Sequence, residues 1–133
     1  MFWASLVFVI RKNNEVLVLK RSSNRGAHRG KWGLPGGKAD KREMPEETAI
    51  RESFEETGIK IREDKLFFLS KFSKGERDYY FFWTKEENPE VIIDEEHEGW
   101  DWISLENLES ALQVPTPRFI FNLLRSNLMQ STD

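Results

Sequence analysis

The chain alternates between apolar runs of strand length and segments with helical spacing. We predict two strands from the apolar or β-branched runs "FWASLVFVI" and "EVLVLKRS" near the start of the chain. The connection "RKNN" between them predicts a hairpin, because Asn13 and Asn14 are residues that tolerate positive φ.

Helical features define a longer segment, "MPEETAIRESFEETG". Pro45 suits a first helical turn, and Gly58 suits a C-terminal stop. The apolar residues Ala49, Ile50 and Phe54 recur at helical spacing. We therefore expect this face of the helix to pack on the sheet.

The remaining runs complete the predicted fold. A second hairpin is predicted from "KLFFLSKF" and "RDYYFFWTK", and a further strand from "WDWISL". Two more helices are predicted from "SLENLESAL" and "TPRFIFNLLRSNLM". The order of strands, helix, strands and helices predicts an α+β fold, with a mixed β-sheet and helices on both faces.

Length and composition predict one domain over residues 1–133, since 133 residues at 38% hydrophobic content suffice for one core. The absence of cysteine excludes disulfides, cysteine-ligated zinc and thiol catalysis. The apolar run at the start is too short to span a bilayer and is a poor signal peptide. These features predict a soluble, cytoplasmic protein with no membrane partner, and they do not predict an oligomeric state.

Charge is unevenly distributed, although the net charge is only −3. Residues 20–42, which include the glycine-rich loop "SSNRGAHRGKWGLPGGK", hold eight Lys or Arg and one acid. Residues 86–98 hold seven acids and no Lys or Arg. Two interpretations follow: two solvated faces, or a site that binds an anionic group beside a cationic one.

The acids of "RESFEETG" favour the second interpretation. In a helix, Glu52, Glu55 and Glu56 share one face, where like charges repel each other. Glu55 and Glu56 also lie near the helix C-terminus, where the helix dipole disfavours acids. This arrangement predicts a bound cation, and carboxylates suit Mg²⁺ or Mn²⁺. With a basic loop nearby for phosphate oxygens, the pattern indicates phosphoryl chemistry.

The stretch "GKADKREMPEETAIRESFEETGI" resembles the signature of the Nudix hydrolases, and the run before it is similar to that of MutT-like members. The resemblance implies an α/β/α sandwich that hydrolyses a nucleoside diphosphate linked to another group. Water activated by Mg²⁺ or Mn²⁺ would attack phosphorus, and a carboxylate would accept its proton. The matching positions are Gly37, Glu43, Arg51, Glu52, Glu55, Glu56, Gly58 and Ile59.

The resemblance also implies a role for each matching residue. Glu55 and Glu56 correspond to the principal metal ligands, and Glu52 to a further ligand or the general base. The carbonyl of Gly36 corresponds to a backbone ligand. Arg51 corresponds to an orienting residue.

Further roles follow from the resemblance. Glu43 is expected to form a salt bridge with Arg51, more for structure than for catalysis. Glu96, six residues before Trp102, corresponds to an additional acid that reaches metal or water, with Glu95 and Glu98 as alternatives. A solvated acidic loop is the other interpretation of these acids.

Substrate contacts are assigned to the basic, glycine-rich region. The resemblance implies contacts to phosphate or sugar for Arg21, Arg25 and His28, although His28 also suits capping a turn, and Lys38 is a further candidate. Trp32 is a candidate for stacking on a base, with packing in the core as the alternative.

A nucleoside triphosphate is the expected substrate class. Alternatives are ADP-ribose, a dinucleoside polyphosphate, an RNA 5′-end, or a module that binds a nucleotide without hydrolysing it. Other nucleic acid partners are not expected.

Ser53 departs from the family pattern, which has an aliphatic residue there, and is expected on the packed face of the helix.

Overall fold

A computed structural model describes residues 2–130 of the chain. These residues form seven strands and three α-helices. The strands are β1 (Phe2–Arg11), β2 (Glu15–Arg21), β3 (Trp32–Gly33), β4 (Gly36–Lys38), β5 (Phe67–Lys74), β6 (Arg77–Lys85) and β7 (His97–Ser104). The helices are α1 (Pro45–Thr57), α2 (Leu105–Ala111) and α3 (Arg118–Gln130).

The strands form one mixed sheet, as the sequence predicts. Its main path runs β3-β2-β1-β6-β5, with β4 also paired to β1 and β7 to β2. The β1–β6 pair is parallel and the other pairs are antiparallel. Both predicted hairpins are present, and Asn13 and Asn14 have φ of 65° and 54° at the first of them.

Side chains alternate between two cores because successive residues of a strand point to opposite faces. On one face, Leu17 and Leu19 of β2 pack with Ala49 of α1. On the other face, Val16 and Val18 pack with residues of α2 and α3. Helices therefore cover both faces, and the predicted α/β/α sandwich is confirmed.

The glycine-rich segment is more regular than the sequence indicates. It contains β3 and β4, and β4 pairs with β1 so that Gly36 lies opposite Leu6. Gly36 has φ of 150°, and a Cβ at this position would collide with the carbonyl oxygen of Ser5. Only glycine lets the backbone approach β1 this closely, so the Pro-Gly-Gly turn is fixed on the sheet.

The ends of α1 are the predicted ones. Pro45 occupies the first turn, and the Glu47 carboxylate accepts a hydrogen bond from the Met44 backbone N–H at 2.9 Å. Gly58 ends the helix in the left-handed conformation, with φ of 74°, and donates its N–H to the Phe54 carbonyl.

The packed face of α1 differs in part from the prediction. Ala49 is buried and Ile50 is half-buried, but Phe54 is 53% exposed, so its expected packing role is wrong. The helix instead buries small residues, including Ser53 as expected, and these let it lie close to the sheet. Each residue turns the helix by about 100°, which carries Phe54 away from the stripe centred on Ala49 and Ser53.

No helix among residues 2–130 is both long enough and apolar enough to cross a membrane.

Two buried serines give opposite expectations for stability. The Ser53 hydroxyl has no hydrogen-bond partner among the described residues, whereas the Ser5 hydroxyl donates to the Pro45 carbonyl at 2.8 Å. Because an orphaned buried hydroxyl is costly, we expect Ser53→Ala to raise the free energy of unfolding by about 1 kcal/mol and Ser5→Ala to lower it by about 1 kcal/mol. Urea unfolding followed by circular dichroism measures both. A destabilised Ser53→Ala protein would contradict this reading of the α1 packing.

Candidate active site

The salt bridge between Arg51 and Glu43 joins α1 to the loop before it. Arg51 donates to both carboxylate oxygens of Glu43, at 2.7 and 2.9 Å. The same carboxylate accepts from the Thr48 hydroxyl at 2.8 Å and from the Asp40 backbone N–H at 2.9 Å. The hydrogen bonds from Arg51 are the main cause that lowers the pKa of Glu43 to about 2. Glu43 is therefore a fixed anion, with the structural contacts that the sequence predicts for it.

Arg51 also contacts two further acids of the helix. Its Nη1 lies 2.8 Å from Glu52 and 2.9 Å from Glu55. Its Nη2 donates to the Lys38 carbonyl at 3.1 Å, which ties the end of β4 to α1. One guanidinium thus compensates part of the negative charge that the sequence concentrates on this face.

Glu56 is the most buried acid of the three, at 5% exposure. Its Oε1 accepts a hydrogen bond from the Gly36 backbone N–H at 2.8 Å. Burial raises the pKa of Glu56 to about 9, and the charges of Glu52 and Asp94 add to the effect, against the Gly36 N–H and the charge of Arg21. Burial therefore favours the protonated form of this carboxyl when no cation is bound.

Glu52 lies beside Glu56 and beneath β4. A Cβ at Gly37 would sit 2.6 Å from the Glu52 Cδ, so glycine at this position makes room for the carboxylate. Burial is the main cause that raises the pKa of Glu52, although hydrogen bonds from Arg51 and with Glu56 oppose it. Glu56, which is buried, and Glu52, which is half-buried, therefore form an acid pair.

The position of each acid follows from helix geometry. Glu56 and Glu52 flank the packed stripe of α1, whereas Glu55 is rotated further toward solvent and its side chain is 48% exposed. Glu56 is thus inside the protein, Glu52 is half-buried, and Glu55 is at the rim.

Oxygen donors of this kind suit a hard divalent cation. Residues 2–130 nevertheless contain no group of three His, Asp or Glu side chains arranged around a common ion position. The reason is visible in the contacts: Arg51 engages Glu52 and Glu55, and Gly36 engages Glu56. The donor chemistry fits a cation, and a bound cation would offset the cost of ionising the buried Glu56.

The loop before β7 contributes an acid that the sequence reasoning missed. The negative charge of Asp94 contributes to the raised pKa of Glu56. The Asp94 carboxylate lies 2.7 Å from Nδ1 of the buried His97. The side chain of Glu96 is exposed and makes no hydrogen bond or ion pair with other described residues, and its reach to a bound ion stays a prediction. The spacing before Trp102 indicated Glu96 as the acid of this loop. The sequence feature that could have indicated Asp94 is His97, three residues later.

The two alternative acids of this loop have other partners. Glu98 accepts two hydrogen bonds from Ser23 and pairs with Lys20 at 3.1 Å. Glu95 pairs with Arg25 at 3.4 Å. Neither of them contacts the acid pair of α1 in the described part of the chain.

Of the expected substrate contacts, Arg21 acts electrostatically on Glu56. It follows Leu17 and Leu19 in the alternation of β2, so its side chain is on the α1 face, and its charge lowers the pKa of Glu56. It also acts on His28, whose pKa is lowered by burial first and then by Arg21 and Lys31.

The other expected contacts are more spread out. Arg25, His28 and Lys38 are exposed around the site. Trp32 is half-buried against the core on the α2 and α3 face, so the structure separates it from the acid pair. Its predicted stacking on a base would have to occur at that other face.

The mixed sheet between helices brings carboxylates suited to a divalent cation close to a basic loop suited to phosphate oxygens. The sequence matches the NUDIX domain over residues 2–123. The chain belongs to this family.

Individual relatives agree with this. The 8-oxo-dGTP diphosphatase of Escherichia coli is 32% identical over 107 residues, which cover 78% of this chain and 81% of that protein. A MutT-like protein of Streptomyces ambofaciens is 40% identical over 58 residues, which cover 44% of this chain but only 34% of the relative. The crystal structure of a MutT protein from Methanosarcina mazei superimposes with a TM-score of 0.77 at 28% identity, covering 95% of this chain and 94% of that one.

The names of relatives do not fix one substrate. Two mouse relatives are named bis(5′-nucleosyl)-tetraphosphatase and diphosphoinositol polyphosphate phosphohydrolase. Membership of the family therefore indicates the type of bond that is cleaved, but not which molecule is the substrate.

The raised pKa of Glu56 predicts how the stability of the metal-free protein depends on pH. Between about pH 5 and 9 the unfolded chain ionises Glu56 while the fold keeps it protonated, so stability falls as pH rises, by at most about 1.4 kcal/mol per pH unit. The depressed pKa of Glu43 has the opposite sign but acts only below about pH 4.5. Thermal unfolding in EDTA between pH 5.5 and 8.5 measures the effect.

Glu56→Gln provides the control for that measurement, because it removes the titrating group. We expect the variant to lose much less stability over the same pH range than the wild type. Equal pH dependence in the two proteins would show that Glu56 does not cause the loss of stability with rising pH.

Proposed function

We propose that the protein is a divalent-metal-dependent pyrophosphohydrolase that cleaves a phosphoanhydride bond of a nucleoside triphosphate. The observation that carries this proposal is the acid pair of the half-buried Glu52 and the buried Glu56, held against the glycine turn, with Arg21 on the same face of the sheet. A structural role alone would leave the pair as a destabilising element.

The residues proposed to hold Mg²⁺ or Mn²⁺ are Glu52, Glu55, Glu56 and the carbonyl of Gly36, with Glu96 as a further candidate. The ion would supply charge neutralisation to the phosphate oxygens and to the attacking water. Glu56 is the central ligand of this proposal, because its burial makes the unpaired charge most costly.

Proton transfer is assigned to Glu52. A water oxygen attacks phosphorus, the bond from phosphorus to the bridging oxygen breaks, and the water proton passes to the Glu52 carboxylate. Burial raises the pKa of Glu52 above its ordinary value, which makes its carboxylate a stronger base. Arg51 holds the Glu52 side chain in place, and Glu43 holds Arg51.

Substrate binding is assigned to the basic residues around the acids. Arg21, Arg25, His28 and Lys38 would pair with phosphate oxygens and with the sugar. Asp94 is added to the predicted set as an acid that faces Glu56, fixed by His97. The name of the Escherichia coli relative supports a nucleoside triphosphate as the first substrate to test.

Hydrolysis of a nucleotide panel with Mg²⁺ tests the proposal. The panel contains dGTP, 8-oxo-dGTP, ADP-ribose, a diadenosine polyphosphate and capped RNA. We expect release of pyrophosphate or phosphate from a triphosphate, and a loss of at least about 10³-fold in kcat/KM for Glu56→Gln.

Glu46→Gln is the matched control, since Glu46 lies on the same helix and its side chain is exposed. This variant should keep activity within about twofold of the wild type. Full activity of Glu56→Gln would sink the mechanism. Hydrolysis of another panel member instead of a triphosphate would keep the mechanism and replace the substrate.

A further inference from the structure

Two oppositely charged segments meet beside the candidate site. The basic loop, residues 22–31, is closed at its base by the Arg21 N–H, which donates to the Lys31 carbonyl at 2.9 Å. It lies on the acidic turn, residues 94–98, where the Ser22 N–H donates to the Glu96 carbonyl at 2.9 Å. The two charge runs of the sequence are therefore a contact within the fold rather than two separate solvated faces.

Glu98 makes the strongest side-chain contact between these segments. Its Oε1 accepts from the Ser23 backbone N–H at 2.7 Å, and its Oε2 accepts from the Ser23 hydroxyl at 2.9 Å. Lys20 lies 3.1 Å from the same carboxylate. Hydrogen bonds to a charged acceptor are stronger than neutral ones, so this carboxylate fixes the start of the basic loop.

A break in strand pairing exposes this side chain to the loop. β2 and β7 pair Lys20 with Gly99 and then Arg21 with His97, so Glu98 is an extra residue on β7. Bulges of this kind commonly re-aim a side chain next to an active site. Here the bulge directs the carboxylate to Ser23.

The pair of Arg25 and Glu95 joins the same segments but differs in strength. Its atoms are 3.4 Å apart, and the two side chains are 54% and 87% exposed. Single ion pairs that are exposed to solvent contribute little to stability. Glu95 therefore provides a matched comparison: an acid of the same turn, opposite the same loop, without the hydrogen bonds to the loop backbone.

An acid next to a phosphate-binding loop should weaken the binding of an anion unless it has another role. We propose that Glu98 is a positioning residue, whose carboxylate holds Ser23 so that the basic loop presents its cations to the phosphates of the substrate. The inference rests on the proposed function for the identity of the ligand. Removing the Glu98 carboxylate would have two opposite effects on phosphate binding. It would relieve the repulsion between the acid and the phosphates, but it would also release the loop. The structure favours release of the loop as the larger effect, because three contacts converge on the carboxylate.

Limited digestion with trypsin measures how firmly the loop is held and does not depend on enzymatic activity. The cleavage sites inside the loop are Arg25, Arg29 and Lys31. We expect Glu98→Ala to be cleaved there at least about fivefold faster than the wild type, and Glu95→Gln to differ from it by less than about twofold. Melting temperatures of the three proteins should agree within a few degrees, because Glu98 is on the surface.

Ligand binding then tests the positioning role. Without metal, calorimetry should show that inorganic tripolyphosphate binds about tenfold more weakly to Glu98→Ala than to the wild type. With Mg²⁺ and the nucleotide, KM should rise by about the same factor while kcat stays within about twofold. Glu98→Gln keeps an acceptor for Ser23 and should lie between the two.

Unchanged digestion of the loop, or unchanged or tighter tripolyphosphate binding by Glu98→Ala, would overturn the inference. A fall in kcat without a rise in KM would also overturn it. If no nucleotide is hydrolysed but the digestion and tripolyphosphate results hold, the proposed function fails and the positioning role of Glu98 stands.

Discussion

The contact of the glycine turn with β1 and α1 is the constraint on which the candidate site depends. Gly36 approaches the backbone of β1 so closely that no side chain fits, and its N–H then points to the Glu56 carboxylate at 2.8 Å. Gly37, the next residue, leaves the space that the Glu52 carboxylate occupies. Two successive glycines thus let a helix place the buried Glu56 and the half-buried Glu52 against a strand, where less water solvates them. Desolvation then raises both pKa values, and this stored electrostatic cost is what a cation would relieve.

Charge elsewhere in the molecule is arranged around this pair. Arg51 neutralises part of it from the helix side and is itself held by the fully hydrogen-bonded carboxylate of Glu43. Arg21 acts from the sheet, and the acidic turn anchors the basic loop through Glu98. Among residues 2–130, positive charge is therefore positioned next to the acids without a close ion pair to Glu56, so that both a cation and an anionic phosphate have a place there.

Much of the architecture was predictable because it depends on local rules. Strand runs, the Asn13 and Asn14 turn, and the Pro45 and Gly58 boundaries of α1 follow from propensity and backbone geometry, and the structure confirms them. Phe54 was misplaced because apolar spacing does not show which stripe packs when the true stripe is made of small residues. Asp94 was missed because its relation to Glu56 arises from the course of a loop and from His97, which counting back from Trp102 does not describe. The contact of Ser23 with Glu98 depends on a bulge, and bulges leave no reliable pattern in one sequence.

The central claim is that Glu56 is a protonated, buried carboxyl that must ionise when a divalent cation binds. Calorimetric titration of the protein with Mg²⁺ at pH 7, repeated in buffers of different ionisation enthalpy, measures the protons released per ion. We expect the wild type to release about one proton per ion at pH 7, and fewer as the pH rises through the pKa of Glu56. Mg²⁺ binding at pH 7 with no proton release would contradict it.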